Sequence, residues 1–169
     1  MTAPDAPVRL YGVVDCAVEP TLHEHVQRLG PQQAACLFEG KLDPGVLAVS
    51  PYLVELSPHD PLSRAWRGSG WGRNWGLLVS SRSPLMAVRR RLRHFTQARL
   101  PDGSGPVLFR FWDPRVFRVY FPQVDGPGLA DWFKDISHFT VESEDGARSL
   151  RYSLGGGRLV LEEGPAPNR

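Results

Sequence analysis

Asp15, at the end of the apolar run VRLYGVVDCA, is the best single candidate in this sequence for a catalytic acid. Acid–base work needs a second group within hydrogen-bond reach, so the question is what could stand beside it. Histidines at 23, 25, 59, 94 and 138 offer bases or metal ligands in principle. His23 and His25 are two apart on an expected helix, so they point to different sides rather than to one metal. No HExxH, no GxSxG and no pair of carboxylates at convincing spacing accompanies them. Cys16 and Cys36 lack CxxC spacing and sit in apolar runs, which reads as buried free thiols in a reducing compartment. No catalytic constellation, metal site or cofactor is expected, and a lone strand-end carboxylate such as Asp15 usually serves as a cap or an ion-pair partner.

Three further groups carry chemistry. The loop over residues 68–76, GSGWGRNWG, has the glycine content of a phosphate cradle. It matches neither the dinucleotide fingerprint nor the Gly-Lys-Ser/Thr phosphate loop. The alternatives are a tight loop whose Trp71 and Trp75 pack onto the sheet, or an exposed tryptophan pair that anchors a partner. Arg89, Arg90, Arg91 and Arg93 form a basic cluster that would suit nucleic acid or an acidic protein surface, though on an amphipathic helix it also reads as a solvated face. Arg110 lies between Phe109 and Phe111, and by strand alternation it shares a face with Leu108 and Trp112. A partly buried guanidinium must be answered by a carboxylate or carbonyl, and Asp15 and Asp113 are the candidates.

These residues are positioned by a chain organised around residues 107–122, VLFRFWDPRVFRVYFP. The pattern predicts a buried strand running directly into a short helix at Asp113-Pro114. Asp113 would cap the free N–H groups, and Pro114 suits the first helical position. A hairpin is the rival reading, because Phe117, Val119 and Phe121 alternate with polar neighbours; the Asp-Pro start favours the helix. Either way this stretch should form the centre of the core. Upstream, residues 8–17 read as a strand, 22–29 as a helix capped by Thr21 with Glu24, and 33–38 as a second strand, which suggests a parallel crossover. Residues 39–51 read as loop, 52–56 and 77–80 as strands, and Asp60-Pro61 as the start of a helical turn. Ser83-Pro84 opens the clearest helix, with Leu85, Val88, Leu92 and Phe95 on one face. Residues 128–136 read as a short helix and 139–163 as two or three weak strands split by Gly155-Gly156-Gly157.

The totals fit one domain. At 169 residues, with 41% hydrophobic and 22% charged content, the chain can bury a sizeable core. A net charge of +2 does not by itself imply a polyanion partner. Of the 20 basic residues all but Lys41 and Lys134 are arginine, which a GC-rich coding bias also explains. No export signal and no membrane-spanning run is legible, so a cytoplasmic protein is expected. The fold expected is a single α/β domain with a mixed β-sheet flanked by helices. It should span residues 8–163, with tails at 1–7 and 164–169.

The order of PYLVEL (51–56), GWGRNWGLLVSS (70–81), PLMAVRRRLRHF (84–95) and LFRFWDPRVF (108–117) resembles a bacterial family, the adaptor chaperones of type VI secretion effectors. Arg110, Trp112, Asp113, Pro114 and Arg115 stand where that family has its arginine-aromatic-aspartate-proline-arginine block. The resemblance covers residues 10–133. It implies a non-enzymatic adaptor that binds an effector and helps load it onto the spike protein, without cofactor or small-molecule substrate. Many relatives carry a long variable segment after the block, thought to choose the effector; here the corresponding part, 134–163, is short. On this reading Trp71, Trp75, Arg89, Arg90 and Arg93 are the candidate partner-binding residues, and the block is architectural. Two readings from other classes are a small enzyme with its site near Asp15 and the 68–76 loop, and a nucleic-acid binder through the Arg89 to Arg93 helix.

Overall fold

The computed structural model describes residues 6–167. Its centre is strand β1, Arg9–Asp15, which is buried on both faces from Tyr11 onward and so shows no polar alternation. Helix α1, Pro20–Leu29, follows; its cap is Glu19, whose carboxylate accepts from the Thr21 N–H at 3.3 Å, rather than Thr21 itself. After β2 (Ala34–Cys36), the segment expected to be loop contains a short helix α2 (Pro44–Ala48), and β3 is Pro51–Glu55. Helix α3, Pro61–Ala65, starts as the Asp60-Pro61 signal predicts, with the Asp60 carboxylate accepting from the Ser63 N–H at 2.6 Å. It widens into a π turn over Trp66–Gly70 before β4, Gly76–Ser81. Helix α4 is Leu85–Arg93. A small two-stranded ribbon of β5 (Gln97–Arg99) and β6 (Pro106–Leu108) leads to α5 (Pro114–Tyr120) and α6 (Gly126–Trp132). The chain closes with β7 (His138–Glu142), β8 (Arg148–Gly155) and β9 (Arg158–Pro165).

The result is the expected single α/β domain with helices against a sheet. Seven strands lie in the order β2-β3-β1-β4-β7-β8-β9, and every ladder is antiparallel. The expected parallel crossover is therefore not a pairing. β1 and β2 run the same way, but β3 comes back between them and bonds to both. One sheet face carries α1, α3 and the π turn over Val14, Tyr52 and Val54. The other face carries the larger cluster, to which α4, α5 and α6 contribute Val88, Leu92, Phe117, Leu129 and Trp132.

The stretch over residues 107–122 does form the centre of the core: Phe111, Trp112, Phe117 and Phe121 are 0–2% exposed. Phe117 stacks on Phe121 with centroids 4.3 Å apart, and Phe121 meets Phe139 and Tyr152 at 5.5 and 5.6 Å. Asp113 caps α5 through the Arg115 N–H, so the helix reading prevails over the hairpin. The buried strand before it does not form. β6 is exposed, and the chain turns, the Asp113 N–H donating to the Arg110 carbonyl at 3.1 Å. The reason is packing: Phe111 and Trp112 both enter the same cluster, which consecutive residues of a strand cannot do. At the ends, Gly164 and Pro165 belong to β9 and Ala166 is buried, so the chain is ordered past the point where a tail was expected. Residues 1–5 and 168–169 of the two expected tails lie outside the described residues.

Candidate functional site

The ends of β1, β4 and β7 that carry Asp15, Gly76 and Glu142 form a polar corner. Arg110 donates to the Asp15 carboxylate at 2.6 Å and lies 3.9 Å from that of Asp113. Both partners are the ones the sequence nominates. The Asp15 side chain is only 2% exposed, and its second oxygen accepts from the Ala17 N–H at 3.1 Å, so this carboxylate is committed to holding the chain. Burial alone would raise the pKa of Asp113. The side-chain and backbone hydrogen bonds from Arg115, with the charges of Arg115 and Arg110, outweigh it and hold Asp113 below the usual carboxylate range. Trp112 and Pro114 are buried between these ions and the core, while the Arg115 side chain is 60% exposed. Cys16, next to Asp15, has its thiol pushed up to about 12 by burial and then by the Asp15 charge, so it is held as a neutral thiol.

Residues 68–76 are built around the same corner. Gly72 (φ 85°) and Asn74 (φ 57°) both take left-handed backbone, which turns their N–H groups toward one point. That point is occupied by Glu142 of β7, which accepts from Gly72 at 2.7 Å and from Asn74 at 2.8 Å. The loop thus binds an anion, and the anion is the chain's own carboxylate. Arg118 adds a bond to the Glu142 carbonyl at 2.8 Å. Burial raises the pKa of Glu142, and the two N–H bonds and the Arg118 charge reduce that rise without cancelling it.

The tryptophans divide. Trp75 is buried at 6% exposure, its ring lying against Gly70, so it is core and not a partner anchor. Trp71 is half-buried and, with Trp66, walls an open groove of about 490 Å³ on the α1/α3 face of the sheet. The floor is Leu10 of β1, Leu56 just past β3, and Leu78 of β4. Trp66 reaches this floor because β1 has Gly12 there: a Cβ at Gly12 would come 2.6 Å from the Trp66 ring. The indole N–H groups of Trp66 and Trp71 are buried and have no acceptor among the described residues. At the rim, Arg9 and Glu55 pair at 3.2 Å, whereas Arg67 donates to the carbonyls of Pro58 and Ser63 and has no carboxylate partner among the described residues. The pattern could have announced this groove, because a glycine inside an apolar strand marks a close approach.

The arginines of α4 are mostly used inside the chain. Arg89 donates to the carbonyls of Cys36 and Phe38, Arg91 pairs with Asp131 at 2.9 Å, and Arg93 pairs with Glu39. Among the described residues Arg90 alone of the four has no partner, and it is exposed. The candidate contact set Trp71, Trp75, Arg89, Arg90 and Arg93 is thus not brought together on one surface. Glu142, Trp66 and the three leucines of the groove were not in it. The histidines are likewise dispersed: His23 faces Tyr52, His94 lies near Asp131, and His138 is on β7.

One family model, described as "Domain of unknown function (DUF4123)", matches residues 10–131, which is most of the chain. The chain belongs to this family. The DUF4123 match begins in β1 and ends in α6, so it holds Asp15, the Trp71 loop, the groove floor and the Arg110 to Arg115 block, but not Glu142 or strands β7 to β9. No curated protein and no solved structure matches the chain. No helix among the described residues is long and apolar enough to cross a membrane.

Proposed function

We propose that the protein is a cytoplasmic adaptor chaperone that binds a type VI secretion effector and helps load it onto the spike protein, by protein–protein recognition without catalysis. The observation that carries the recognition step is the Trp66/Trp71 groove. It is apolar on its floor, open along one side, and rimmed by Arg67, whose guanidinium has carbonyl acceptors but no carboxylate partner among the described residues. Such a surface suits an extended or helical segment that presents an apolar side chain and an acidic one. The resemblance of the Arg110-Phe-Trp-Asp-Pro-Arg115 block to the adaptor family supplies the identity of the partners. The block itself makes no claim on cargo.

The test is retention of the partners. Tagged wild-type protein should co-purify with the effector and the spike protein of the same gene neighbourhood. Trp71→Ala should weaken effector capture at least about tenfold, since truncation of a central aromatic anchor typically costs about 2 kcal/mol or more of binding. Arg67→Glu, at the exposed rim, should weaken capture while the melting temperature moves little. Arg90→Glu should leave capture unchanged. Failure of the wild type to retain either partner sinks the adaptor reading.

A further inference from the structure

The two edges of the seven-stranded sheet are treated differently. The β2 edge is three residues long, and Arg89 closes it by donating to the carbonyls of Cys36 and Phe38. The β9 edge is eight residues long, and among the described residues β9 pairs with β8 on one side and with nothing on the other. It carries neither a lysine nor a bulge in its first five residues, and Val160 and Leu161 are 39% and 49% exposed. A long, open, apolar edge is a template for another strand.

The register of β9 says which strand. Gly156 and Gly157, with φ of 56° and 78°, make a two-residue hairpin turn that closes on the pair Gly155 and Arg158. In such a hairpin the closing pair exchanges both main-chain bonds. Arg158, Val160 and Glu162 therefore turn their N–H and C=O groups toward β8, and Leu159, Leu161 and Glu163 turn theirs outward. The side chains read Arg158-Leu159-Val160-Leu161-Glu162, which is its own complement when run backwards. An antiparallel second copy with Val160 opposite Val160 sets Arg158 against Glu162 at both ends and Leu159 against Leu161 on both sides. The leucine pairs are the ones whose outward groups are free to exchange hydrogen bonds. They also lie on the sheet face shared with Tyr152 and Leu150, where Leu159 already packs against the core. Within its own chain Glu162 faces Arg151 at 3.6 Å, both side chains being exposed, which leaves it able to face a second arginine.

We infer that β9 is a self-pairing edge: two copies of this chain join edge to edge about a twofold axis, making one continuous antiparallel sheet. This goes beyond the adaptor reading and needs no effector for its test. Sedimentation of the full chain up to high micromolar concentration should show a reversible monomer–dimer equilibrium. Arg158→Glu sets glutamate against glutamate and Glu162→Arg sets arginine against arginine, and each should weaken self-association at least about tenfold. An equimolar mixture of the two variants restores both opposite-charge contacts and should form a heterodimer as tight as the wild type. Hydrogen exchange gives a second readout without variants: the amides of Leu159 and Leu161 should slow as concentration rises, while that of Val160 is slow throughout. A wild type that stays monomeric overturns the inference. So does dimerisation that the single variants do not weaken, or a mixture that does not recover it.

Discussion

The two halves of one sheet are built to different rules. In β2, β3, β1 and β4 helices cover both faces, so β1 and β3 are buried nearly throughout, and the charged residues of those two strands, Arg9, Asp15 and Glu55, are all held in ion pairs. In β7, β8 and β9 helices cover one face. Phe139, Val141, Leu150 and Tyr152 enter the aromatic cluster with Phe117 and Phe121, while His138, Thr140, Arg151 and Ser153 stay on the other side. The singly covered half is therefore no separate domain; it is the wall that α5 and α6 need. It also lies beyond the DUF4123 match, which ends at residue 131. The difference shows where sequence can change without unmaking the fold: on the open face and edge of β7 to β9, where a side chain meets solvent or a partner, and not among the strands packed on both sides.

Glycines give the sharpest way to break that comparison. Gly76 opens β4 with φ 145°, and a Cβ there would run into the carbonyl oxygen of Val13, which is backbone and cannot step aside. Gly76→Ala should cost upward of about 4 kcal/mol and abolish cooperative unfolding or come close to it. Gly155 ends β8, and its Cβ would meet only the Val160 side chain, at 2.8 Å. Gly155→Ala should cost about 1 kcal/mol or less, because a side-chain end can move. Chemical denaturation of both variants decides it, and equal losses would mean that the two halves are equally constrained.

Ion pairs repeat the contrast at smaller scale. Arg110→Met leaves the buried Asp15 carboxylate uncompensated and should cost about 3–5 kcal/mol, with much of that recovered in the double variant Arg110→Met/Asp15→Asn. Arg148 pairs with Glu163 across β8 and β9 with both side chains about half exposed, and Arg148→Met should cost less than about 1 kcal/mol. Thermal melts at matched protein concentration measure both. If Arg110→Met is as mild as Arg148→Met, the polar corner is surface chemistry and the Asp15 carboxylate is more hydrated than its burial says.

What the sequence made legible was local. Asp60-Pro61 and Asp113-Pro114 announce helix starts because the cap and the proline act on neighbouring backbone, and both helices begin there. The demand that Arg110 find a carboxylate named Asp15 and Asp113 because the inventory of acids near apolar runs is short. The insertion of β3 between β1 and β2 was not legible, since periodicity says that strands exist and not whom they pair. The turn over Phe111 and Trp112 was hidden for a related reason: an apolar run reads as strand unless one knows that two neighbours share a cluster. Glu142 lies 70 residues from the Gly72 that it binds, and nothing in HFTVE marks its last residue as the anion of a distant glycine loop. Trp71 does line the groove, but Trp66 beside it and the leucines beneath become one groove only when β1, β3 and β4 are side by side.

Glu142 sits where the two halves meet, and its titration gives the smallest and most specific test. Its pKa is raised above the ordinary 4.5, chiefly by burial. The native state thus holds this proton more tightly than the unfolded chain, so its contribution to stability is complete below 4.5 and is lost as pH rises through the native value. Asp113, held below the ordinary 3.8, works the other way: its contribution is complete above 3.8 and is lost as pH falls through its native value. Glu142→Gln carries a neutral amide at every pH and resembles the protonated acid. Across the window just above 4.5 the wild type should therefore lose stability relative to the variant, with a slope no steeper than about 1.4 kcal/mol per pH unit, the limit for one proton. The titrations of carboxylates that do not interact with Glu142 cancel in that difference, and Asp113, which does, titrates below this window. The same ionisation strengthens the bonds to Gly72 and Asn74, so amide exchange at those two residues should slow over the window in which global stability falls. Parallel behaviour of loop and whole molecule would show that Glu142 titrates without being the group that holds the loop to the sheet.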